Sequence, residues 1–209
     1  MKMKIATLFA LAALGLASIP AQAASLVDGS AEAGKDRALT CMACHGPEGN
    51  SPSPSWPNLA GQNAAYLIAQ MQAFKGGERK DPLMSGQAMS LSDTDMANLA
   101  VYFESLPAAA QSVANESTID RGEALYRGGN KENGSTACMA CHGPTGRGNP
   151  AALYPALQGQ HATYIAKQLN DYATGTRETD GKTRVMRDIA ATLDKDDIEA
   201  LSSYVQGLK

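Results

Sequence analysis

Two cysteines three positions apart, followed at once by a histidine, occur twice in the chain: Cys41, Cys44 and His45, then Cys138, Cys141 and His142. This C-x-x-C-H pattern is that of c-type haem attachment. Two thiols at that spacing reach two vinyl groups on neighbouring pyrrole rings, and the next residue places an imidazole under the iron. Cys41 and Cys44 are thus expected as the thioether links of a first haem with His45 as an axial ligand. Cys138, Cys141 and His142 repeat the set for a second. A structural zinc site calls for C-x-x-C pairs about 15–20 residues apart, whereas Cys44 and Cys138 are separated by 94 positions. A thioredoxin-like redox pair needs neither a following histidine in both copies nor downstream methionines. Two disulfides, the ordinary reading of four cysteines in an exported chain, do not account for the spacing.

The sixth ligand follows by elimination. The chain has three histidines. The third, His161, aligns with Asn63 of the other copy and reads as a surface helix residue, so two bis-histidine haems are excluded. Methionine is the usual partner in electron carriers and raises the potential. In the second half the candidates are Met139, which lies between the attachment cysteines and on the wrong face, and Met186. In the first half they are Met71, Met84, Met89 and Met96. Met84 precedes Leu91 by seven positions, as Met186 precedes Leu193. Met71 and Met96 align with Leu169 and Ile198, which marks them as helix core. Met84 and Met186 are the expected ligands, with Met89 as the alternative to Met84.

These residues sit in two copies of one unit. CMACHGP at 41–47 recurs at 138–144, Trp56-Pro57-Asn58-Leu59 answers Tyr154-Pro155-Ala156-Leu157, and Gly61-Gln62 answers Gly159-Gln160. Tyr66, Gln70, Phe74, Gly77 and Arg79 answer Tyr164, Gln168, Tyr172, Gly175 and Arg177. The expected organisation is a domain over 24–107, an Ala-, Ser- and Gln-rich linker over 108–116 and a second domain over 117–209. Units this small bury little core unaided, so each depends on something inside it. The class is all-α. Helices are expected leading into each cysteine motif, over Tyr66–Phe74 and Tyr164–Tyr172, and behind start signals at Ser92 and Asp194. Met96, Leu99, Ala100 and Phe103 form one apolar face, as do Ile198, Leu201, Tyr204 and Val205. Carbonyls near Pro57 and Pro155 are candidates to orient the axial histidines. Tyr66, Tyr164, Arg79 and Arg177 suit haem propionates equally as well as they suit half-buried core and solvated surface.

Lys2 and Lys4, the uncharged apolar run Ile5–Ile19 and the small-x-small sequence Ala21-Gln22-Ala23 read as a signal peptide over 1–23. An uncleaved anchor is the alternative, but the run is short for a span of about 20 residues. Removal of 1–23 leaves 16 basic and 21 acidic side chains, a formal charge of −5, which argues against nucleic acid as a partner. The imbalance is local. Residues 24–107 hold five basic and nine acidic groups, net −4, whereas 117–209 hold eleven of each. Negative charge favours ferric iron, so the first haem is expected to have the lower potential.

The CMACHGP pair, the repeated x-P-x-L-x-G-Q and Y-x-x-x-Q segments, the L-S-D-x-D and L-D-K-D-D helix starts and the ending I-E-A-L-S-S-Y-V-Q-G-L resemble the dihaem cytochrome c4 family. The resemblance spans essentially all of the chain after residue 23. It implies two class I cytochrome c domains about a pseudo-twofold axis, with the haem propionate edges facing each other. It also implies a periplasmic electron carrier, loosely associated with the membrane surface, that serves terminal oxidases. Redox protein partners and a monomeric state are expected. Two other classes remain open: a haem enzyme such as a dihaem peroxidase, which needs an open or displaceable iron ligand, and a cytochrome subunit fixed in a dehydrogenase or reductase complex.

Overall fold

The computed structural model describes residues 25–209, so the expected signal peptide lies outside the described residues. The first unit runs α1 (Ala31–Arg37), α2 (Leu39–His45), α3 (Ala64–Gly76), α4 (Pro82–Met89) and α5 (Asp93–Ser105). The second repeats the order as α6 (Ile119–Gly128), α7 (Met139–His142), α8 (Ala162–Ala173), α9 (Val185–Ala190) and α10 (Lys195–Gln206). Among the described residues β pairing is limited to two isolated bridges, Asn130 with Ser135 and Asn149 with Tyr154. No helix there is long and apolar enough to cross a membrane. The fold is two tandem all-α units, as the repeat requires.

The last helix of each unit starts where its sequence signal stands. At α5 the Ser92 hydroxyl accepts from the Asp95 amide while the Asp95 carboxylate accepts from the Ser92 amide, a reciprocal capping box. At α10 the Asp194 carboxylate accepts from the Asp197 amide. Both helices bury the expected faces. Met96, Leu99, Ala100 and Phe103 join Ala38, Ala64, Leu67 and Leu91 in one core. Ile198 is buried, and Leu201, Tyr204 and Val205 join Leu125, Tyr126 and Ile165 in the other.

The first and last helices of each unit cross at a glycine. A Cβ on Gly34 would lie 2.1 Å from the Asn98 carbonyl oxygen, and one on Gly122 would lie 2.5 Å from that of Ala200. Only a residue without a side chain permits this approach. The linker has no regular secondary structure before the 3-10 turn at Glu116, and it is strapped to the second unit. The Asn115 amide donates to Ser203 Oγ at 2.7 Å and Gln206 Nε2 donates to the Ser112 carbonyl at 2.9 Å.

Candidate haem-binding sites

The attachment motifs occupy α2 and α7, short helices that end on Gly46 and Gly143, at φ of 82° and 79°. With ψ of 156° and 160°, these glycines adopt an extended positive-φ conformation that residues with a side chain avoid, and the chain turns sharply after each histidine. The following loop folds back on itself. Gly49's carbonyl accepts from the amides of Leu59 (2.7 Å) and Ala60 (3.0 Å), and Gly146's accepts from those of Leu157 (2.6 Å) and Gln158 (3.1 Å). This closure brings the Pro57 carbonyl 2.8 Å from His45 Nδ1 and the Pro155 carbonyl 3.0 Å from His142 Nδ1.

A carbonyl can only accept, so Nδ1 carries the proton in each ring and the Nε2 lone pair is left free. That is the tautomer a metal ligand requires. Both rings are 6% exposed. Burial pushes the two imidazoles below their ordinary value of 6.5, against the opposing pull of the proline carbonyls. The neutral, ligating form is therefore the favoured one.

None of the four half-buried cysteines is joined to another by a disulfide. Burial pushes Cys138 up to about 11 and also raises Cys41, the latter despite lowering contributions from Thr40 and Arg37. A redox-active cysteine needs the opposite shift, so the thioredoxin-like reading has no support here.

Met84 lies in α4 and Met186 in α9, both half-buried. Met89 stands at the end of α4 with 62% of its surface exposed. Met71 and Met96 belong to the first core, and Met139 packs against the second. The two methionine helices are entered differently. Asp81 caps α4, accepting from the Met84 amide at 3.0 Å, with Pro82 in the first turn. Helix α9 follows a 3-10 turn over Gly181–Thr183 and an Arg184 in the left-handed region, φ 54°. There the Asp180 carboxylate accepts from the amide of Arg187 at 2.9 Å and from its Nε at 2.8 Å.

Arg79 and Arg177 meet where the units join, and they are buried rather than solvated, at 9% and 5% exposure. Their contacts are exchanged between units. Arg79 donates to Gln70 of its own unit (2.9 Å) and to Tyr164 and Gln168 of the other (both 2.8 Å). Arg177 donates to Gln168 (2.7 Å) and to Tyr66 and Gln70 across the interface (both 2.8 Å). Each guanidinium also lies over an aromatic ring of its own unit, Phe74 or Tyr172, 4.6 Å from the centroid. Burial alone would raise the Tyr164 phenol, but Arg79 and Arg177 outweigh it and hold the phenol below its ordinary 10. No ion pair joins either arginine to a carboxylate among the described residues. Two buried cations without an acidic side chain call for an anion from elsewhere, because an uncompensated buried charge costs several kcal/mol. The donor set as a whole fits two haems: paired thiols, imidazoles in the ligating tautomer, a half-buried thioether in each unit, and buried cations suited to propionates.

His161 corrects an expectation. It is buried, it stands just before α8 without capping it, and its Nε2 lies 2.9 Å from the Ser51 carbonyl of the first unit. The facing unit covers it, and its own periodicity cannot report that. Sequence reasoning also gave no role to Gln62 and Gln160, which are buried with every polar atom engaged at the interface. Their only signal was a polar residue repeated in register beside an identical glycine.

A family model described as cytochrome c matches residues 31–107 and 119–209. The chain is 49% identical over 180 residues to cytochrome c4 of Pseudomonas aeruginosa, covering 86% of this chain and 89% of that one. It is 35% identical over 170 residues to the thiosulfate dehydrogenase electron acceptor of Stutzerimonas stutzeri, covering 80% and 78%. It superposes on the crystal structure of reduced recombinant cytochrome c4 from Pseudomonas stutzeri with a TM-score of 0.84 at 46% identity, over 87% of this chain and 100% of that one.

Proposed function

The chain belongs to the cytochrome c4 family, dihaem electron-transfer proteins rather than enzymes, and on that premise we propose how its own residues do the work. Each haem supplies a one-electron ferric/ferrous couple. Cys41 and Cys44 would fasten the first through thioethers, and His45 and Met84 would hold its iron. Cys138 and Cys141 would fasten the second, with His142 and Met186 holding its iron. With these donors all supplied by the chain, each haem would supply electron transfer rather than substrate chemistry. The observation that carries this reading is the matched pair of buried imidazoles whose Nδ1 atoms are tied to Pro57 and Pro155 at 2.8 and 3.0 Å.

Arg79 and Arg177 would hold the propionate carboxylates at the interface, where Tyr66 and Tyr164 add hydroxyls. The buried cations would neutralise that charge, and a haem held in each unit would supply electron transfer between the units. The domains are taken as 24–107 and 117–209 with a linker at 108–116, following a signal peptide that directs the protein to the periplasm. Its partners are redox proteins, a donor and a terminal oxidase. A second reading of the donor side comes from the relative named as a thiosulfate dehydrogenase electron acceptor. The protein acts as a monomer in loose contact with the membrane surface.

The test is to mix the reduced protein with membranes bearing terminal oxidases and follow the haem absorbance under oxygen. Oxidation in two one-electron steps, abolished by an oxidase inhibitor, is the expected result. Failure to oxidise, alongside ready reduction by a thiosulfate dehydrogenase, would redirect the assignment to that donor and away from the oxidase.

A further inference from the structure

The carbonyl that holds each axial histidine is one end of a peptide group, and the other end of that group is held by the opposite unit. Pro57 C=O and Asn58 N–H belong to the same amide. The former accepts from His45 Nδ1 at 2.8 Å, and the latter donates to Oε1 of Gln160, in the second unit, at 2.9 Å. Gln160 Nε2 completes the pair by donating to the Asn58 carbonyl at 2.9 Å. The mirror arrangement is present. Pro155 C=O accepts from His142 Nδ1 at 3.0 Å, while Ala156 N–H donates to Gln62 Oε1 at 2.8 Å and the Ala156 carbonyl accepts from Gln62 Nε2 at 2.9 Å. Each glutamine oxygen also accepts from the next amide in its own unit, Asn63 at 2.9 Å and His161 at 3.0 Å, so the side chain is fixed at its root.

We propose that Gln160 and Gln62 are positioning residues that act in trans, each setting the strength of the histidine hydrogen bond at the other unit's haem. The chemistry is that of a polarised amide. An acceptor on the N–H end makes the carbonyl oxygen more negative, and hydrogen bonds in series strengthen one another in a buried setting. A stronger carbonyl acceptor makes the imidazole more basic, which favours ferric iron and lowers the potential. The relay is crossed: the second unit's glutamine governs the haem at His45, and the first unit's governs the haem at His142. Two domains joined in this way do not have independent potentials. The inference rests on His45 and His142 being the axial ligands.

The crossing is what an experiment reads. Gln160→Leu and Gln62→Leu are made in the full holoprotein, and each haem is titrated by NMR with its methyl resonances assigned through the attached cysteines. Gln160→Leu raises the potential of the haem on Cys41 and Cys44, changing its redox equilibrium constant about tenfold, or about 59 mV for one electron. The haem on Cys138 and Cys141, in the mutated unit itself, changes less than about threefold. Gln62→Leu gives the reverse assignment. Equal shifts at both haems, or a larger shift at the haem of the mutated unit, overturn the proposal. Should a leucine variant fail to fold, Gln160→Glu keeps a stronger acceptor for the Asn58 amide. It must move the His45 Nδ1 proton downfield and lower the potential of that haem more than the other. A larger effect at His142 overturns the proposal equally. The wild-type reduced spectrum separates the two levels. Absence of an axial-imidazole Nδ1 proton for His45 or His142 defeats the ligand assignment, whereas its presence without the crossed response defeats the relay alone.

Discussion

Met84 follows Arg79 by five positions, whereas Met186 follows Arg177 by nine. The short segment is held by local chemistry alone: Pro82 presets the first-turn dihedral and the Asp81 carboxylate takes the Met84 amide. The long one cannot close that way. It makes a 3-10 turn and places Arg184, a residue with a side chain, in the left-handed region, which costs roughly 1–2 kcal/mol. The offset is a lock around Arg187, whose Nε is 2.8 Å from the buried Asp180 carboxylate and whose Nη2 is 2.6 Å from the Gly181 carbonyl. A nearby pair of the same kind repeats the contrast. Asp197 is fully buried against Arg121 at 2.7 Å, while its counterpart Asp95 meets Arg37 at 3.4 Å in a partly exposed pair. The first unit relies on backbone preference and the second on buried ions, so the two haems should fail under different stresses.

The strongest way to break the comparison is to remove the methionines. Met84→Ala and Met186→Ala should each open one iron to carbon monoxide and lower that haem's potential by on the order of 0.1 V or more, within the roughly 0.8 V that axial ligands span. Met89→Ala should do neither. Carbon monoxide difference spectra and a redox titration read both. If Met89→Ala opens the first haem and Met84→Ala leaves it six-coordinate, the first assignment is wrong.

Next comes Asp180→Ala, which leaves the buried Arg187 with only the exposed Glu178 carboxylate, 3.2 Å from its Nη1, as an ionic partner. Breaking a buried pair from one side costs up to about 3–5 kcal/mol. The second haem should therefore lose its methionine–ferric charge-transfer band at markedly lower temperature than the first. Asp81→Ala removes only a cap and should cost about 1 kcal/mol, felt at the first haem and not the second. A larger loss from Asp81→Ala than from Asp180→Ala would invert the comparison.

The smallest expected effect is electrostatic. Four net negative charges on 24–107 at about 15 Å from iron in a water-like dielectric amount to roughly 1 kcal/mol before screening, or roughly 45 mV. The first haem should lie below the second by about that much at low salt, with the gap narrowing as salt is added. Such a gap would favour flow in at the N-terminal unit and out at the C-terminal one, and a first haem above the second at low salt would reverse it.

What the sequence made legible was local or repeated. The capping box at Ser92, the cap at Asp194, the apolar faces of α5 and α10 and the proline carbonyls beside the histidines all follow from short-range pattern. The four extra residues before Met186 were visible as a shift in the alignment of the halves, but the Asp180 lock they carry was not, because its partners have no periodic spacing. The seam between units was illegible for a stronger reason. His161 and Ser51 are 110 residues apart, and Gln160 and Asn58 are 102 apart. A polar residue buried by another domain looks, along its own helix or loop, like one facing water.

The glycine crossings have a consequence in time. The clasp between α1 and α5 includes Ser30 and Asn98, 68 residues apart. A chain made at about 5–20 residues per second therefore carries Cys41, Cys44 and His45 for several seconds before the helix that closes over their unit exists. During that interval α1 has no glycine groove partner and the thiols lie in open chain, accessible to whatever attaches the haem. The second motif passes through the same interval later, before α10 arrives to meet Gly122. By placing its closing contact at the far end of each unit, the fold leaves each attachment motif in open chain until the whole of its unit is present.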